Sequence, residues 1–425
     1  MGFSSTDEHA SVETKAPSIA WVLAATLVAG VSGYLVMYVV ARAVGAADYS
    51  VFGVFWSGLF LVVGVLFGIQ QEATRATAQS IHKQNDKESR SSLLLFAVFV
   101  AFVVVAIVFG TGLWWGPVTL GAGNASLIVQ IAIGSGANAI VATMCGVLAG
   151  AQLWRHLGMI IALDGIIRLI GVLFALSVGG SASLLAWAVI LPFPLSIGIV
   201  FLASPRHFLR LGRSTLSYRQ LITNSGHTML AASATALIIN GFPLVLAFFA
   251  SANEKAALGA LILAITITRA PILVPLMALQ SFLLTRFTVI VASPWPLIRR
   301  AFLIIAIVMV VLGLATLVWG AAAFEIFIGD EFALTTAALV PLVVSSGFIG
   351  ALCVTGPALL ALGLHRRYAA GWVVASLVSI AALFVPLSLE GKAALALSAG
   401  PLVGLALHLW FLLRHSMNGR VHTIL

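Results

Sequence analysis

Charged residues are scarce in this sequence: they make up 8% of its 425 residues, whereas an ordinary soluble domain contains roughly 25%. Hydrophobic residues make up 61%. A chain of this composition cannot fold as a water-soluble globular protein, because it has too little polar surface to cover its apolar residues. Cysteine is scarce too. Cys145 and Cys353 both lie within apolar segments, so the sequence predicts neither a disulfide framework nor a cysteine-based metal site.

The common signatures of enzyme chemistry are also missing. The sequence has no P-loop, no glycine-rich dinucleotide fingerprint and no His-x-x-x-His pair, which disfavours ATP hydrolysis and metalloproteolysis. The predicted external loops are short, and none of them concentrates the Asp, Glu or His that a metal site or an acid/base pair needs. The sequence therefore predicts a protein that is not an enzyme and that has no metal or cofactor. Transport is the activity that fits best.

Long apolar runs are what the sequence has in abundance. Each is long enough to cross a hydrocarbon core of about 30 Å. The runs and their polar breaks predict about twelve transmembrane helices, at 17–41, 50–70, 92–115, 125–150, 157–179, 183–203, 221–249, 258–284, 301–323, 335–362, 370–388 and 393–413.

The net charge of +9 is best explained by where the basic residues fall. If the N-terminus is cytoplasmic, 17 of the 22 Lys and Arg residues lie in the cytoplasmic segments. The positive-inside rule then predicts a multi-pass protein of the cell membrane with both termini in the cytoplasm. The basic loops are expected to meet the headgroups of membrane lipids, and nucleic acid is not an expected partner.

The two halves of the chain show matching features. Asp48 and Glu254 precede the second and eighth helices, 206 residues apart, and Cys145 and Cys353 occupy the fourth and tenth. Duplicated halves are common in transporters and face each other across a cavity near the bilayer midplane. The predicted fold is an all-α polytopic membrane protein, with two parallel six-helix halves around a central cavity. Its segments are a tail at 1–16, bundles at 17–204 and 221–414, a basic linker at 205–220 and a tail at 415–425.

Three charged residues lie inside the predicted spans, where each is costly and suggests a functional site. Asp164 and Arg168 are four residues apart on one helical face, so they form either a structural ion pair or part of a coupling or substrate site. Arg269 has no acidic residue within one helical turn, and Pro271 and Pro275 are expected to interrupt its helix. It is either a cation in a ligand cavity or a cation paired with Asp164 or with a backbone carbonyl.

Small and polar residues form a stripe along one face of the second helix. At 100° per residue the stripe comprises Gly53, Ser57, Gly64, Gly68, Gln71 and Arg75. It indicates either close helix packing or the mouth of a cavity. In the first helix Tyr34, Tyr38 and Arg42 share a face. They either anchor the helix at the membrane interface or bind a sugar and its phosphate.

The seventh helix has two polar features. Asn224 and His227 lie near its start, and a hinge is predicted in mid-span at Gly241 and Pro243, because proline removes a backbone donor and clashes with the preceding turn. His227 has no metal-binding partner at a suitable spacing and is interpreted as a hydrogen-bonding residue or a proton switch. The side chains expected to line a sugar site are Tyr34, Tyr38, Gln71, Asn224, His227, Asn240 and Gln280.

Several short motifs resemble those of the polysaccharide flippases of the multidrug/oligosaccharidyl-lipid/polysaccharide exporter superfamily. The motifs lie at 41–53, at 68–75 and at 328–332, and a fourth comprises Leu360-Ala361-Leu362-Gly363. The resemblance implies a V-shaped pair of six-helix bundles, alternating access and a cationic central cavity. Arg269 matches the family's arginine in the eighth helix by position, and Arg42 and Arg75 match its other cations more loosely. The chain lacks the two additional helices of peptidoglycan lipid II flippases, which argues against lipid II as its substrate.

We therefore expect a flippase that moves a polyprenyl-phosphate- or pyrophosphate-linked sugar to the outer leaflet for cell-envelope polysaccharide synthesis. Its phosphate is expected to bind Arg269, with help from Arg42, Arg75 or Arg168. One alternative is a cation-coupled multidrug exporter of the same superfamily, in which Asp164 would be the coupling acid. Another is a non-transporting scaffold that recruits cell-wall glycosyltransferases through its basic loops.

Overall fold

The computed structural model describes residues 16–82, 91–203, 213–289 and 293–421. Its fold is almost entirely helical. The helices are α1 (Ala16–His82), α2 (Leu93–Thr119), α3 (Ala125–Gly150), α4 (Trp154–Ser177), α5 (Ala182–Ile190), α6 (Pro192–Ala203), α7 (Tyr218–Ala236), α8 (Phe242–Ala247), α9 (Lys255–Val289), α10 (Trp295–Phe327), α11 (Thr336–Ala361), α12 (His365–Ala382) and α13 (Leu389–Val421). Two short strands, β1 (Ser91–Ser92) and β2 (Arg213–Ser214), pair antiparallel.

The first two predicted helices are one kinked helix. At 67 residues, α1 would extend about 100 Å if it were straight, far more than a bilayer needs. It bends at Gly45, whose φ of 78° lies in the region that glycine adopts readily and other residues seldom do. The loop expected at 42–49 is therefore wrong. The chain turns at a single glycine, and both arms remain helical up to the bend.

The predicted fold class is confirmed. Ten helical segments within the described residues are long and apolar enough to cross a membrane. Each arm of α1 is long enough to cross separately, and α12 is a further helix of 18 residues, so the described helices allow about twelve crossings. One predicted span is divided: the helix expected at 183–203 consists of α5 and α6, separated at Leu191. The chain is a multi-pass membrane protein.

Successive membrane spans run in opposite directions, and the two ends of the bundle differ in charge. We call one the basic end, because eleven arginines of the described residues lie there: Arg75, Arg155, Arg213, Arg219, Arg286, Arg299, Arg300, Arg366, Arg367, Arg414 and Arg420. The opposite end, here the far end, carries Arg42, Lys255 and Lys392. At the basic end β1 and β2 join the two halves. Residues 1–15 of the predicted N-terminal tail and residues 205–212 of the predicted linker lie outside the described residues.

The second arm of α1 packs closely against the other half of the chain. A Cβ at Gly68 would come within 2.5 Å of the backbone nitrogen of Met229 in α7, and a Cβ at Gly64 within 2.7 Å of the Ala236 side chain. At the far end, a Cβ at Gly259 in α9 would lie 2.0 Å from the carbonyl oxygen of Ala46. Only glycine permits such approaches, so the small residues of the predicted stripe serve helix packing, as they commonly do in membranes.

Candidate functional site

A cavity of about 630 Å³ opens between the second arm of α1 and helices α7, α9, α11 and α12, towards the basic end. This volume is within the usual range for ligand sites, about 300–1,000 Å³. Most of its wall is apolar. Its polar lining side chains are Gln71, His227, Thr228, Thr235, Asn240, His365 and Tyr368. Among the described residues that line it there is no Lys, Arg, Asp or Glu, so the cavity offers hydrogen-bonding groups without a carboxylate, an ammonium or a guanidinium.

One wall of the cavity is an aromatic face of α12. His365, Tyr368 and Trp372 are spaced so that they share one side of the helix. His408 of α13 holds this face in place, because its Nε2 donates to the Tyr368 carbonyl oxygen at 3.0 Å and its ring stacks on the tyrosine. Gly371 leaves the room for that imidazole: a Cβ there would lie 2.1 Å from the histidine ring. The aromatic wall is therefore positioned by buried contacts behind it.

The predicted hinge in the seventh span is a one-turn π-helix, Leu237–Gly241, between α7 and α8. In π geometry a carbonyl accepts from the N–H five residues later, so the Ile238 carbonyl would accept from the N–H of residue 243. In α geometry a carbonyl accepts from the N–H four residues later, so the Ile239 carbonyl would accept from that same N–H. Pro243 has no N–H to give. Side chains from other helices replace the missing bonds. The Ser57 hydroxyl donates to the Asn240 carbonyl and accepts from the Leu244 N–H at 3.2 Å.

Arg269 of α9 satisfies the two remaining carbonyls of this turn. Its Nη1 donates to the Ile238 oxygen at 3.1 Å and to the Ile239 oxygen at 3.2 Å. The arginine is 4% exposed, and its Nε and Nη2 have no hydrogen-bond partner among the described residues. No described carboxylate pairs with it. Of the two sequence interpretations, pairing with a backbone carbonyl is therefore what the geometry shows, and one edge of the guanidinium is still unused.

Arg269 does not line the cavity, and it is separated from it by the π turn. Ile239 lines the cavity and also provides its carbonyl to the arginine, so the π turn lies between them. Tyr34 of α1, a predicted site residue, is not among the residues that line the cavity. The interruption of α9 expected at Pro271 and Pro275 is wrong, because the helix is continuous past both prolines, as membrane helices often are when local adjustments satisfy the freed carbonyls.

Three of the predicted sugar-site residues, Gln71, His227 and Asn240, line the cavity. Asn224 lies instead in a polar contact between the two halves. Its Nδ2 donates to Glu72 at 2.9 Å, and the same carboxylate pairs with Arg75 at 2.7 Å. Arg75 is thus neutralised by a buried acid at the basic end. The side chain of Gln280 lies outside the described residues.

Tyr38 and Arg42 are far from the cavity and join the two halves at the far end. The Tyr38 hydroxyl donates to the Phe327 carbonyl at 3.1 Å, and Arg42 Nη1 donates to the Ile328 carbonyl at 3.0 Å. The Ala46 N–H donates to Glu331 Oε2 at 3.1 Å. This contact brings together two of the motifs on which the sequence resemblance rests, 41–53 and 328–332. In this structure those residues close the far end rather than line the cavity.

Asp164 and Arg168 form the ion pair that their spacing predicts, with Arg168 Nη2 donating to Asp164 Oδ2. The guanidinium also lies 5.3 Å from the ring centres of Phe60 and Phe193 and 5.9 Å from that of Trp56. These contacts enclose Arg168 within the first half, away from the cavity.

Replacing Asp164 with asparagine should therefore destabilise the protein, because it leaves a buried guanidinium without its counter-ion. Removing one partner of a buried pair costs about 3–5 kcal/mol, and we expect the lower end because Asp164 is only partly buried. Adding Arg168→Met should restore much of the loss. Unfolding in mixed micelles with increasing dodecyl sulfate measures the free energy. If Asp164→Asn were fully stable yet inactive, the carboxylate would be a coupling group instead.

Sequence reasoning missed the aromatic wall and the Glu72–Asn224 contact. Tyr368 and Trp372 have the same i, i+4 spacing that singled out Tyr34 and Tyr38, so a signal was present in the sequence. It resembled the aromatic belt that membrane helices carry at their ends. The pairing of Glu72 with a residue 152 positions away had no local signal, since only the tertiary fold brings the two together.

The chain is similar in sequence to proteins of Mycobacterium tuberculosis. No family model matches it. It is 32% identical to the uncharacterized protein Rv3630 of Mycobacterium tuberculosis and 31% identical to the uncharacterized protein Rv1510 of the same organism, in each case over 400 residues, 93% of this chain and 92% of the relative.

Solved structures share the fold at low identity. A multidrug resistance MATE family transporter of the MOP superfamily, in its inward-facing conformation, matches with a TM-score of 0.70 at 13% identity, over 96% of this chain and 99% of the other. The Vibrio cholerae MATE transporter VcmN matches at 0.67 and 17%, over 96% and 98%. The lipid II flippase MurJ in its inward closed conformation matches at 0.69 and 13%, over 91% and 86%.

Proposed function

The chain belongs to the same family as these mycobacterial proteins and has the fold of the multidrug/oligosaccharidyl-lipid/polysaccharide exporter superfamily, and from this premise we propose that it is a lipid-linked saccharide flippase. It moves a polyprenyl-phosphate- or pyrophosphate-linked saccharide from the cytoplasmic to the outer leaflet of the cell membrane by alternating access. The termini and the basic end face the cytoplasm. The saccharide serves cell-envelope polysaccharide synthesis, and the glycosyltransferases of that synthesis are the expected partners.

The observation that carries this proposal is the buried arginine with an unused edge. Arg269 has no acidic partner among the described residues, and two of its nitrogens lack acceptors. A buried cation of this kind is costly on its own and is stabilised when an anion binds it. A phosphate group provides both the charge and the acceptor oxygens, and a charge-assisted hydrogen bond is strong where water is excluded.

The cavity supports a saccharide as the second part of the substrate. Amide, hydroxyl and phenol groups can bind sugar hydroxyls, and the apolar wall with its aromatic face can pack against the ring. The absence of carboxylates among the described lining residues disfavours an organic cation, which requires a negative partner. A volume of about 630 Å³ fits a short saccharide and is too small for a long polymer.

The membrane potential favours this direction of transport. Moving one elementary charge across 100 mV changes the free energy by about 2.3 kcal/mol. An anion leaving a cell that is negative inside gains this energy, and a diphosphate with two negative charges gains roughly twice as much. Export of a lipid-linked diphosphate therefore needs no coupling acid.

Depletion of the protein in its own cells tests the proposal most directly. We expect one polyprenyl-linked saccharide to accumulate in the inner leaflet, where it stays protected from a glycosidase added outside. Re-expression of the wild-type chain should remove it. Reconstitution in liposomes should then transfer that same lipid between leaflets, and liposomes without protein are the control. Depletion that changes drug sensitivity and leaves every lipid-linked saccharide at its normal level would instead favour the multidrug exporter.

A further inference from the structure

We infer that Pro243 is a positioning residue for Arg269: because it has no N–H, it leaves one of the two carbonyls that hold Nη1 without a backbone donor, and so it helps to present the Nε–Nη2 edge of the guanidinium to the substrate's phosphate. This inference rests on the proposed function, since it concerns how the same arginine binds its anion. Pro243 itself contacts no substrate. It acts through the backbone of the π turn.

A guanidinium has five N–H groups, and two of them are on Nη1. Both find acceptors in the π turn, at 3.1 Å and 3.2 Å. These two bonds fix the plane and the direction of the group, because a planar group held at one nitrogen by two acceptors has little freedom to rotate.

Nε and Nη2 are buried and have no partner among the described residues. Their N–H groups point the same way on one edge of the guanidinium, which is the arrangement that binds two oxygens of one phosphate in parallel. A lysine at this position could supply charge but not the paired donors.

Pro243 leaves one of these two carbonyls without a backbone donor. An α-helical or π-helical residue other than proline at position 243 would donate its N–H to Ile239 or to Ile238. Arg269 would then compete with the backbone for one of its two acceptors. Ser57 satisfies the neighbouring Asn240 carbonyl and Leu244 N–H, so the turn persists without further use of the arginine.

The test is a double-mutant cycle between Pro243→Ala and Arg269→Lys, measured as the dissociation constant for farnesyl diphosphate in detergent by equilibrium dialysis, with farnesol as the uncharged control. Pro243→Ala restores the backbone donor. We expect it to weaken farnesyl diphosphate binding about tenfold, the value of one charge-assisted hydrogen bond. In the Arg269→Lys background the same change should alter the constant by less than about twofold, because the paired edge is already lost.

Two control variants separate positioning from general damage to the turn. Ser57→Ala removes bonds of the same turn that do not involve Arg269, so it measures general damage to the turn, and it should weaken farnesyl diphosphate binding less than Pro243→Ala does. Pro341→Ala removes a helix-interior proline of α11 and should leave the dissociation constant unchanged. If Pro243→Ala is not recovered as a monodisperse protein, Pro243→Gly restores the same N–H.

The outcomes distinguish the inference from the proposed function. If Arg269→Ala bound farnesyl diphosphate as tightly as wild type, the phosphate site itself would be wrong, and the inference would fall with it. If Arg269→Ala lost binding but Pro243→Ala did not change it, or changed it equally in both backgrounds, only the positioning role would be refuted.

Discussion

Arg269→Ala is expected to abolish transfer of the lipid-linked saccharide between leaflets, with a loss of about 100-fold or more. In the proposed binding mode, the substitution removes two charge-assisted hydrogen bonds to the phosphate, each contributing about 1.5–3 kcal/mol, and 2.8 kcal/mol corresponds to about 100-fold. The measurement is the initial rate of transfer in proteoliposomes, with the lipid that accumulates when the protein is depleted.

The same substitution has a structural cost that must be separated from the functional one. It leaves the Ile238 and Ile239 carbonyls without their donor, and a buried unsatisfied group costs about 1–3 kcal/mol. Arg269→Lys retains a cation that can reach a carbonyl, so we expect a folded protein that is still strongly impaired. Arg155→Ala, at an exposed arginine of the basic end, is the matched control and should transfer lipid at the wild-type rate. A normal rate for Arg269→Ala would contradict the phosphate site.

Hydropathy predicted the helices of this fold because a bilayer accepts little else than long apolar helices. The bend at Gly45 was not predicted, since a polar stretch between two apolar runs ordinarily indicates a loop. Its helical continuation depends on a positive φ at one glycine and on the Glu331 carboxylate that binds the Ala46 N–H. Glu331 comes from the other half of the chain, so no local pattern could reveal it.

The candidate site, like the fold, was predicted only in part from the sequence. The charge of Arg269 in an apolar span and the Asn-Gly-Phe-Pro sequence of the hinge could each be identified from the sequence, but not their contact. Arg42 and Arg75 were grouped with Arg269 because all three are cations near helix ends or centres. The fold separates them, with Arg42 at the far end and Arg75 paired to Glu72 at the basic end. Charge alone could not tell a substrate ligand from an arginine that joins the two halves.

Gly259→Val is expected to open the far end of the bundle. In this structure the backbones of α1 and α9 touch there, so that even a Cβ at Gly259 would lie 2.0 Å from the Ala46 carbonyl oxygen and 3.2 Å from the Ser50 nitrogen. Backbone cannot yield as a flexible side chain can, and overpacking costs about 1–3 kcal/mol. Conformations of a transporter differ by only a few kcal/mol, so a cost of this size is enough to shift the population towards a state in which the two halves are apart.

A cysteine in place of Ser50 reports that opening, because Ser50 is 3% exposed and cysteine has nearly the same shape. With Cys145 and Cys353 replaced by alanine, a membrane-impermeant maleimide applied from outside should label Ser50→Cys slowly in the parent and much faster together with Gly259→Val. Gly313→Val is the matched control, since a Cβ at Gly313 meets no atom within 4 Å, and it should not change the labelling rate. Because alternating access requires the far end to close again, transfer should fall in the Gly259 variant and not in the control. Equal labelling of the two valine variants would mean that the halves do not meet at Gly259, and the closed far end described above would be wrong.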